Sequence, residues 1–238
     1  MVFEWSTVGA VQVNGVRLGY REAGDPAGPP VVLVHGTGSS ASTWDRFAAR
    51  LVPLGHRVIA FDLRGHATSP AAADYRLTSL RDDLLGVMRA LAVRGATVIG
   101  HSVGAYAAVG VALHSPELIS HLVLEDVAAP PRWVGLPRRL CGLATRRPVP
   151  AILLQLFCSD AGWWSRLPEV RQPALVLSGG PASCIPPGRL AAVTAALPDA
   201  RLATIPVGHR VHSLAPDAFF DEVASFLRPT QPVSAPVV

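Results

Sequence analysis

Lysine is absent from this chain of 238 residues: its 21 basic side chains other than histidine are all arginine. Schiff-base chemistry on a lysine is therefore excluded. Cysteine is scarce. Cys141, Cys158 and Cys184 are scattered, odd in number and form no Cys-x-x-Cys pair. That pattern points to a reducing compartment and argues against a disulfide framework or a structural zinc. Half of the residues are hydrophobic, yet no apolar run approaches the roughly 20 residues of a membrane helix. The N-terminus carries Glu4 and lacks a basic start followed by an apolar stretch. No signal peptide is expected, and the expected location is the cytoplasm, away from membranes.

Acidic residues are missing from one long segment. Between Val127 and Ser159 there are five arginines (Arg132, Arg138, Arg139, Arg146 and Arg147) and no carboxylate. Such a run serves either as a solvated loop face or as a docking patch for an anionic partner such as an acidic carrier protein. Nucleic acid is not expected, because the arginines are not interleaved with stacking aromatics and no DNA-binding motif is present.

What is present is an alternation of short β-branched runs and helical patterns. Val8–Val13 and Val16–Glu22 flank Asn14-Gly15, a strong hairpin signal. Val31-Val32-Leu33-Val34 reads as a strand buried on both faces. Helical spacing at Trp44–Leu54, a strand at Arg57–Phe61, a helix at Leu80–Val93 and a strand at Ala96–Ile99 follow. A helix from about Ala105 to His114 and a strand His121–Glu125 come next. Alternation stops after Val127 and resumes with strand Ala174–Leu177, helix Pro187–Leu197, strand Arg201–Ile205 and helix Pro216–Leu227. The pattern predicts an α/β fold with a mostly parallel, doubly wound sheet in a single domain over residues 1–227. The core is expected at 1–126 and 169–227, with a small cap insertion at about 127–168 over the strand ends. The proline-rich residues 228–238 are expected to be a disordered tail.

The most specific chemistry signal is Gly100-His101-Ser102-Val103-Gly104. It follows a strand and opens a helix, which places Ser102 at the apex of a sharp turn between elements that cross closely. A neutral serine is a weak nucleophile and needs a base. His209 lies on a loop just past strand Arg201–Ile205 and suits that role, its unperturbed pKa being near working pH. His35 and His212 are the competing imidazoles, with loop packing as their alternative role.

Together these motifs resemble the α/β-hydrolase family, in its serine-nucleophile branch with a short cap. Val32 to Gly38 is similar to the family's strand and His-Gly loop. Phe61-Asp62-Leu63-Arg64-Gly65-His66 is similar to its Asp-x-Arg-Gly-His segment, with Ala67 where glycine is usual. Gly100–Gly104 corresponds to the nucleophile elbow and Gly208-His209 to the late histidine. The resemblance runs from about Val11 to Leu227. It implies an oxyanion hole made by the backbone N–H groups of Thr37 and Val103. It implies no cofactor and no metal.

The chain departs from the family at the third catalytic member. The acid usually follows the strand at 174–177, where register points to Ala182, and no carboxylate occurs between Arg171 and Ala196. Some members take the acid from the end of the preceding core strand, here Leu124-Glu125-Asp126. Asp126 is in register; Glu125 is the neighbouring alternative, since adjacent side chains of a strand point oppositely. A Ser102–His209 dyad, with Asp126 only a structural cap, is the remaining option. Cys184, beside Ala182, reads as a small packed hydrophobe.

A serine at the apex separates this chain from the epoxide hydrolases and haloalkane dehalogenases of the family, which carry aspartate there. It implies acyl chemistry on a small ester, thioester or amide. Trp163, Trp164 and His101 are candidate substrate contacts, with packing of the cap as the alternative for the tryptophans. Hydrolysis of a small acyl ester or thioester is the leading expectation. Acyl transfer from a carrier-protein or phosphopantetheine thioester, and non-catalytic binding of a small molecule, are the alternatives. The oligomeric state is not encoded in any of these signals.

Overall fold

A computed structural model of the chain describes residues 3–132, 147–156 and 160–228. The strands run β1 (Thr7–Val13), β2 (Val16–Gly24), β3 (Pro30–Val34), β4 (Arg57–Phe61), β5 (Ala96–His101), β6 (Ile119–Glu125), β7 (Ala174–Ser178) and β8 (Ala200–Thr204). They form one eight-stranded sheet in the order β1-β2-β4-β3-β5-β6-β7-β8. The β1–β2 and β2–β4 pairs are antiparallel, and every pair from β4 to β8 is parallel. The hairpin turn expected at Asn14-Gly15 joins β1 to β2, and both residues take positive φ, as the tight turn requires.

The helices are α1 (Asp45–Leu51), α2 (Leu77–Ala90), α3 (Val103–His114), α4 (Pro148–Leu156), α5 (Ala161–Arg166), α6 (Pro187–Ala196), α7 (Val211–Leu214) and α8 (Pro216–Leu227). The alternation of side chains along each strand divides the core in two. On one face Val32, Val34, Ile59, Val98, Leu122, Leu124 and Val176 pack against Leu84 and Met88 of α2, Ala107 and Val111 of α3, and Leu190 of α6. On the other face Val31, Leu33, Val58, Ile99, Val123 and Leu177 pack against Phe47 of α1 and Phe219 and Val223 of α8. Covering both faces is what makes continuous apolar runs such as Val31–Val34 stable as strands. α3 is apolar on all sides and buried from Val103 to Ala112, as a helix enclosed by α2, the sheet and the segment after β6 must be.

Several boundaries differ from the sequence expectation. The helical stretch at 44–54 is three pieces, a 3-10 turn (Ala41–Trp44), α1 and a second 3-10 turn (Val52–Leu54), because Pro53 sits at the first turn of the last piece. α3 begins directly after Ser102 rather than two residues later, and the short α7 is an element the sequence pattern does not signal. In the expected cap region the described residues form α4 and α5. The expected tail lies outside the described residues from position 229 onward.

Candidate active site

Ser102 stands between β5 and α3 at φ 54° and ψ −115°, a conformation that L-residues rarely adopt. Its N–H donates to the Glu125 carbonyl at 2.9 Å, and its carbonyl accepts from Tyr106 N–H at 3.1 Å. The turn is therefore held from the neighbouring strand and from its own helix. Glycine is needed on both sides: a Cβ on Gly100 would lie 2.4 Å from Ala105 N, and one on Gly104 would lie 2.5 Å from the Val34 carbonyl oxygen. Close passage of β5, α3 and the end of β3 thus aims the Ser102 side chain out of the sheet.

The segment after β3 rests on this elbow. A Cβ on Gly36 would come within 2.6 Å of His101 Nδ1 and 3.1 Å of Ser102 Cβ. Two histidines pin the segment. His35 is fully buried; its Nδ1–H donates to the Gly36 carbonyl at 2.8 Å and its Nε2 accepts from Leu63 N–H at 3.0 Å. Burial pushes the His35 pKa down to about 4, and the nearby His66 adds to the effect. His66 accepts from Gly38 N–H at 3.1 Å through Nε2. Asp62 accepts from Ala41 N–H at 2.7 Å and from the Thr68 hydroxyl at 2.6 Å. Arg64 makes a buried two-pronged ion pair with Asp83 at 2.6 and 2.7 Å. The Asp-x-Arg-Gly-His segment is thus a clamp that fixes the loop carrying Thr37. Val103 opens α3, so its N–H belongs to the first turn, which has no intrahelical acceptor. Val103 thus carries a backbone donor at the helix end beside Ser102, and the loop that meets the elbow at Gly36 continues into Thr37.

β6 ends at Glu125, and Asp126 follows at φ 43° with its N–H on the Leu177 carbonyl at 2.8 Å. Its carboxylate is fully buried and is satisfied by three donors. Gly179 N–H reaches Oδ1 at 2.8 Å, the Ser183 hydroxyl bonds Oδ2 at short range, and His209 Nδ1 lies 3.0 Å from Oδ2. Burying a carboxylate without such partners would be prohibitive. The Ser183 oxygen also accepts from Ile185 N–H at 3.0 Å, which turns the hydroxyl hydrogen toward Asp126. Gly179 must be glycine, since a Cβ there would lie 2.1 Å from the Gly208 carbonyl oxygen. The β7 loop thus contributes donors to Asp126 rather than an acid of its own. Sequence reasoning does not single out Ser183 and Gly179; the missing carboxylate in their loop is the available signal, and a hydroxyl or a glycine in a loop is too common to stand out. Ala182 lies beside Gly208: a Cβ on that glycine would be 4.0 Å from Ala182 Cβ.

With Nδ1 of His209 turned to Asp126, its Nε2 edge is the one available for proton transfer, and its side chain is 29% exposed. Glu125 points away, as strand alternation requires, and bonds His212 instead. His101 corrects an expectation. It is turned inward, 3% exposed, and its Nε2 donates to the His209 carbonyl at 2.8 Å, so it braces the His209 loop from behind rather than facing a ligand.

The tryptophans pack. Trp164 donates from Nε1 to the Pro130 carbonyl at 2.9 Å and lies under the Arg132 guanidinium at 4.4 Å. Trp163 stacks on Tyr106, one turn along α3 from Ser102, with ring centroids 5.6 Å apart. Both are buried in the core cluster, although Trp163 and Tyr106 also wall a cavity of about 180 Å³ beside α3. Among the suggested docking arginines, Arg132 and Arg147 are exposed, whereas Arg138, Arg139 and Arg146 lie outside the described residues. Cys184 is exposed, and partial desolvation together with the Asp126 charge raises its pKa, which keeps the thiol protonated. Among the described residues no group of three or more His, Cys, Asp or Glu could hold a metal ion, and no helix is long and apolar enough to cross a membrane.

An elbow serine, a loop histidine and a strand-end aspartate on one mostly parallel sheet define a class, and comparison with known proteins agrees. A family model described as the alpha/beta hydrolase fold matches residues 29–140. The chain is 26% identical to the sn-1-specific diacylglycerol lipase ABHD11 of Mus musculus, over 86% of this chain and 82% of the relative. Further curated relatives at 33–37% identity are matched over only 38–44% of their own length. Among solved structures, a hydrolase from Pseudomonas aeruginosa PA01 superposes with a TM-score of 0.81 at 24% identity, covering 94% of this chain and 99% of that one. A thermophilic esterase from Thermogutta terrifontis gives 0.78 at 22% identity, covering 94% and 98%. The chain has the α/β-hydrolase fold. It is a hydrolase of that fold, with serine at the elbow.

Proposed function

We propose that this protein cleaves a small carboxylic ester or thioester through an acyl-Ser102 intermediate. The observation that carries the reading is the 3.0 Å contact between Asp126 Oδ2 and His209 Nδ1, on the same strand-end edge as the strained Ser102. Asp126 would hold the imidazole in the tautomer whose Nε2 takes the Ser102 proton, and would stabilise the imidazolium that forms. Ser102 Oγ would then attack the acyl carbon. The developing oxyanion would be met by the N–H groups of Thr37 and Val103, donors already fixed before reaction. His209 would return the proton to the departing alcohol or thiol, and a water activated by the same imidazole would release the acid.

The mouse relative, a diacylglycerol lipase by name, and the Thermogutta terrifontis esterase support ester cleavage. A fluorophosphonate probe and a series of p-nitrophenyl esters and acyl thioesters test the reading. Labelling of the wild type but not of Ser102→Ala, with turnover lost in the same variant, is the expected result. Equal labelling of both proteins would overturn it.

A further inference from the structure

Two carboxylates leave the end of β6 in succession, and each meets a histidine. Asp126 meets His209. Glu125, on the opposite side of the strand, is fully buried and accepts from His212 N–H at 2.9 Å. His212 Nδ1 lies 2.9 Å from its Oε1 and 2.7 Å from its Oε2. The far ring nitrogen of His212 meets the Thr43 hydroxyl at 2.8 Å, and the ring stacks on Trp44 at 4.2 Å. Every polar edge of the pair is thus occupied inside the protein.

His101 stands between this pair and the candidate base. Its ring lies 5.2 Å from the His212 ring and 4.6 Å from the His209 ring. A carbonyl can only accept, so the 2.8 Å contact from Nε2 to the His209 oxygen fixes the proton on Nε2. Nδ1 is then bare, buried and without a partner against Gly36. Burial pushes the His101 pKa down to about 4, with the Glu125 charge pulling the other way and His212 and His209 adding to the lowering. His101 is therefore a neutral donor of fixed direction. Burial disfavours the charge on Glu125, but its interactions with His212, two hydrogen bonds among them, outweigh it and hold the carboxyl below its usual range.

A buried polar pair is weak evidence for stability, because apolar residues of the same volume often serve as well or better. What such a pair does supply is direction. The chain around His209 is tied at three places: Gly208 N–H to the Gly179 carbonyl at 2.9 Å, the His209 carbonyl to His101, and the start of α7 to Glu125. A general base must stand within about 2.6–3.2 Å of the proton it takes, and a misplacement of about 1 Å can cost about a hundredfold in rate.

We propose that Glu125, His212 and His101 form a positioning frame that fixes the backbone of His209 against Ser102. The frame touches neither substrate nor reacting atoms, and it rests on the reading of Ser102 and His209 as nucleophile and base. Its signature is a loss in kcat without a matching change in KM, restored by a side chain that reproduces the single donor on His101.

The test compares His101→Phe, His101→Gln and Glu125→Gln in the full chain, with kcat, KM, melting temperature and the rate of Ser102 labelling by a fluorophosphonate. Phenylalanine keeps the ring and removes the donor; glutamine removes the ring and returns an N–H at the reach of Nε2. Expected are a fall of about ten- to a hundredfold in kcat and labelling rate for His101→Phe, KM within about twofold, and substantial recovery in His101→Gln. Glu125→Gln, which presents an amide to His212 Nδ1–H, should lose about tenfold. Wild-type kcat and labelling in a folded His101→Phe protein would overturn the frame. Equal losses in His101→Phe and His101→Gln would overturn it too, by reducing His101 to packing. If Glu125→Gln does not fold, the two His101 variants decide alone. A wild type whose Ser102 does not react would instead remove the catalytic reading, and the frame with it.

Discussion

Asp126 Oδ2 lies 3.0 Å from His209 Nδ1, although the two residues are 83 positions apart in the chain. The contact pairs the end of β6 with the loop after β8, across β7. The imidazole thus takes its carboxylate partner from the end of β6 rather than from the β7 loop, where the superfamily usually carries it.

Replacing that carboxylate tests its role. Asp126→Asn keeps the size and can keep the Gly179 N–H bond, but it offers no charge to an imidazolium and permits the wrong tautomer. We expect kcat to fall by about a thousandfold or more, with little change in KM. Steady-state kinetics on a p-nitrophenyl ester, beside a melting curve, is the measurement. A fall of less than about tenfold in a folded protein would favour a dyad.

Ala182 offers a complementary test. It sits beside Gly208, the neighbour of His209, in the loop where the superfamily usually carries the acid. Adding Ala182→Asp to the Asp126→Asn protein should recover about tenfold or more of the lost kcat, since either carboxylate could orient Nδ1. Ser183→Ala removes one of three donors to Asp126. A drop of about three- to tenfold in kcat is expected, in line with the loss of one hydrogen bond to a charged group.

Gly36→Ala should be costly at the elbow. The new methyl would meet His101 Nδ1 at 2.6 Å and Ser102 Cβ at 3.1 Å, so the loop carrying Thr37 must shift. We expect about 1–3 kcal/mol of lost stability and a loss of kcat greater than that of a matched Gly188→Ala control. A Cβ at Gly188 meets nothing within 4 Å.

Acid should destabilise the fold before most carboxylates titrate. Burial holds His35 and His101 at about 4 in the folded chain, below the ordinary value of 6.5. Between those values the unfolded chain binds more protons, so stability falls as pH drops from about 6.5 to about 4. Each histidine accounts for a few kcal/mol across that window. Melting temperatures from pH 8 to pH 4 should decline most steeply below pH 6.5. A flat profile over that range would contradict the assigned neutral states.

Much of this architecture was legible in the sequence because its signals are local. The run Val31–Val34, the turn Asn14-Gly15 and the Gly100–Gly104 elbow each combine a backbone requirement with a residue type that meets it. Asp126 was legible for a different reason: the β7 loop has no carboxylate, and the register at the end of β6 points there. The frame behind His209 was hidden. His101, Glu125 and His212 come from three separate segments, and only the folded sheet brings them together. Trp163 and Trp164 misled in part, since a tryptophan over a strand edge can equally pack or bind, and Trp164 spends its N–H on Pro130.

The proposed chemistry turns on a covalent bond to Ser102 Oγ. Rapid quench of the protein with an excess of a p-nitrophenyl ester, followed by peptide mass spectrometry, reads that bond directly. Expected are a burst of about one p-nitrophenolate per chain and an acyl mass on the peptide containing Ser102, both absent in Ser102→Ala. Turnover that persists in Ser102→Ala, or an acyl group found on another residue, would contradict the acyl-Ser102 mechanism.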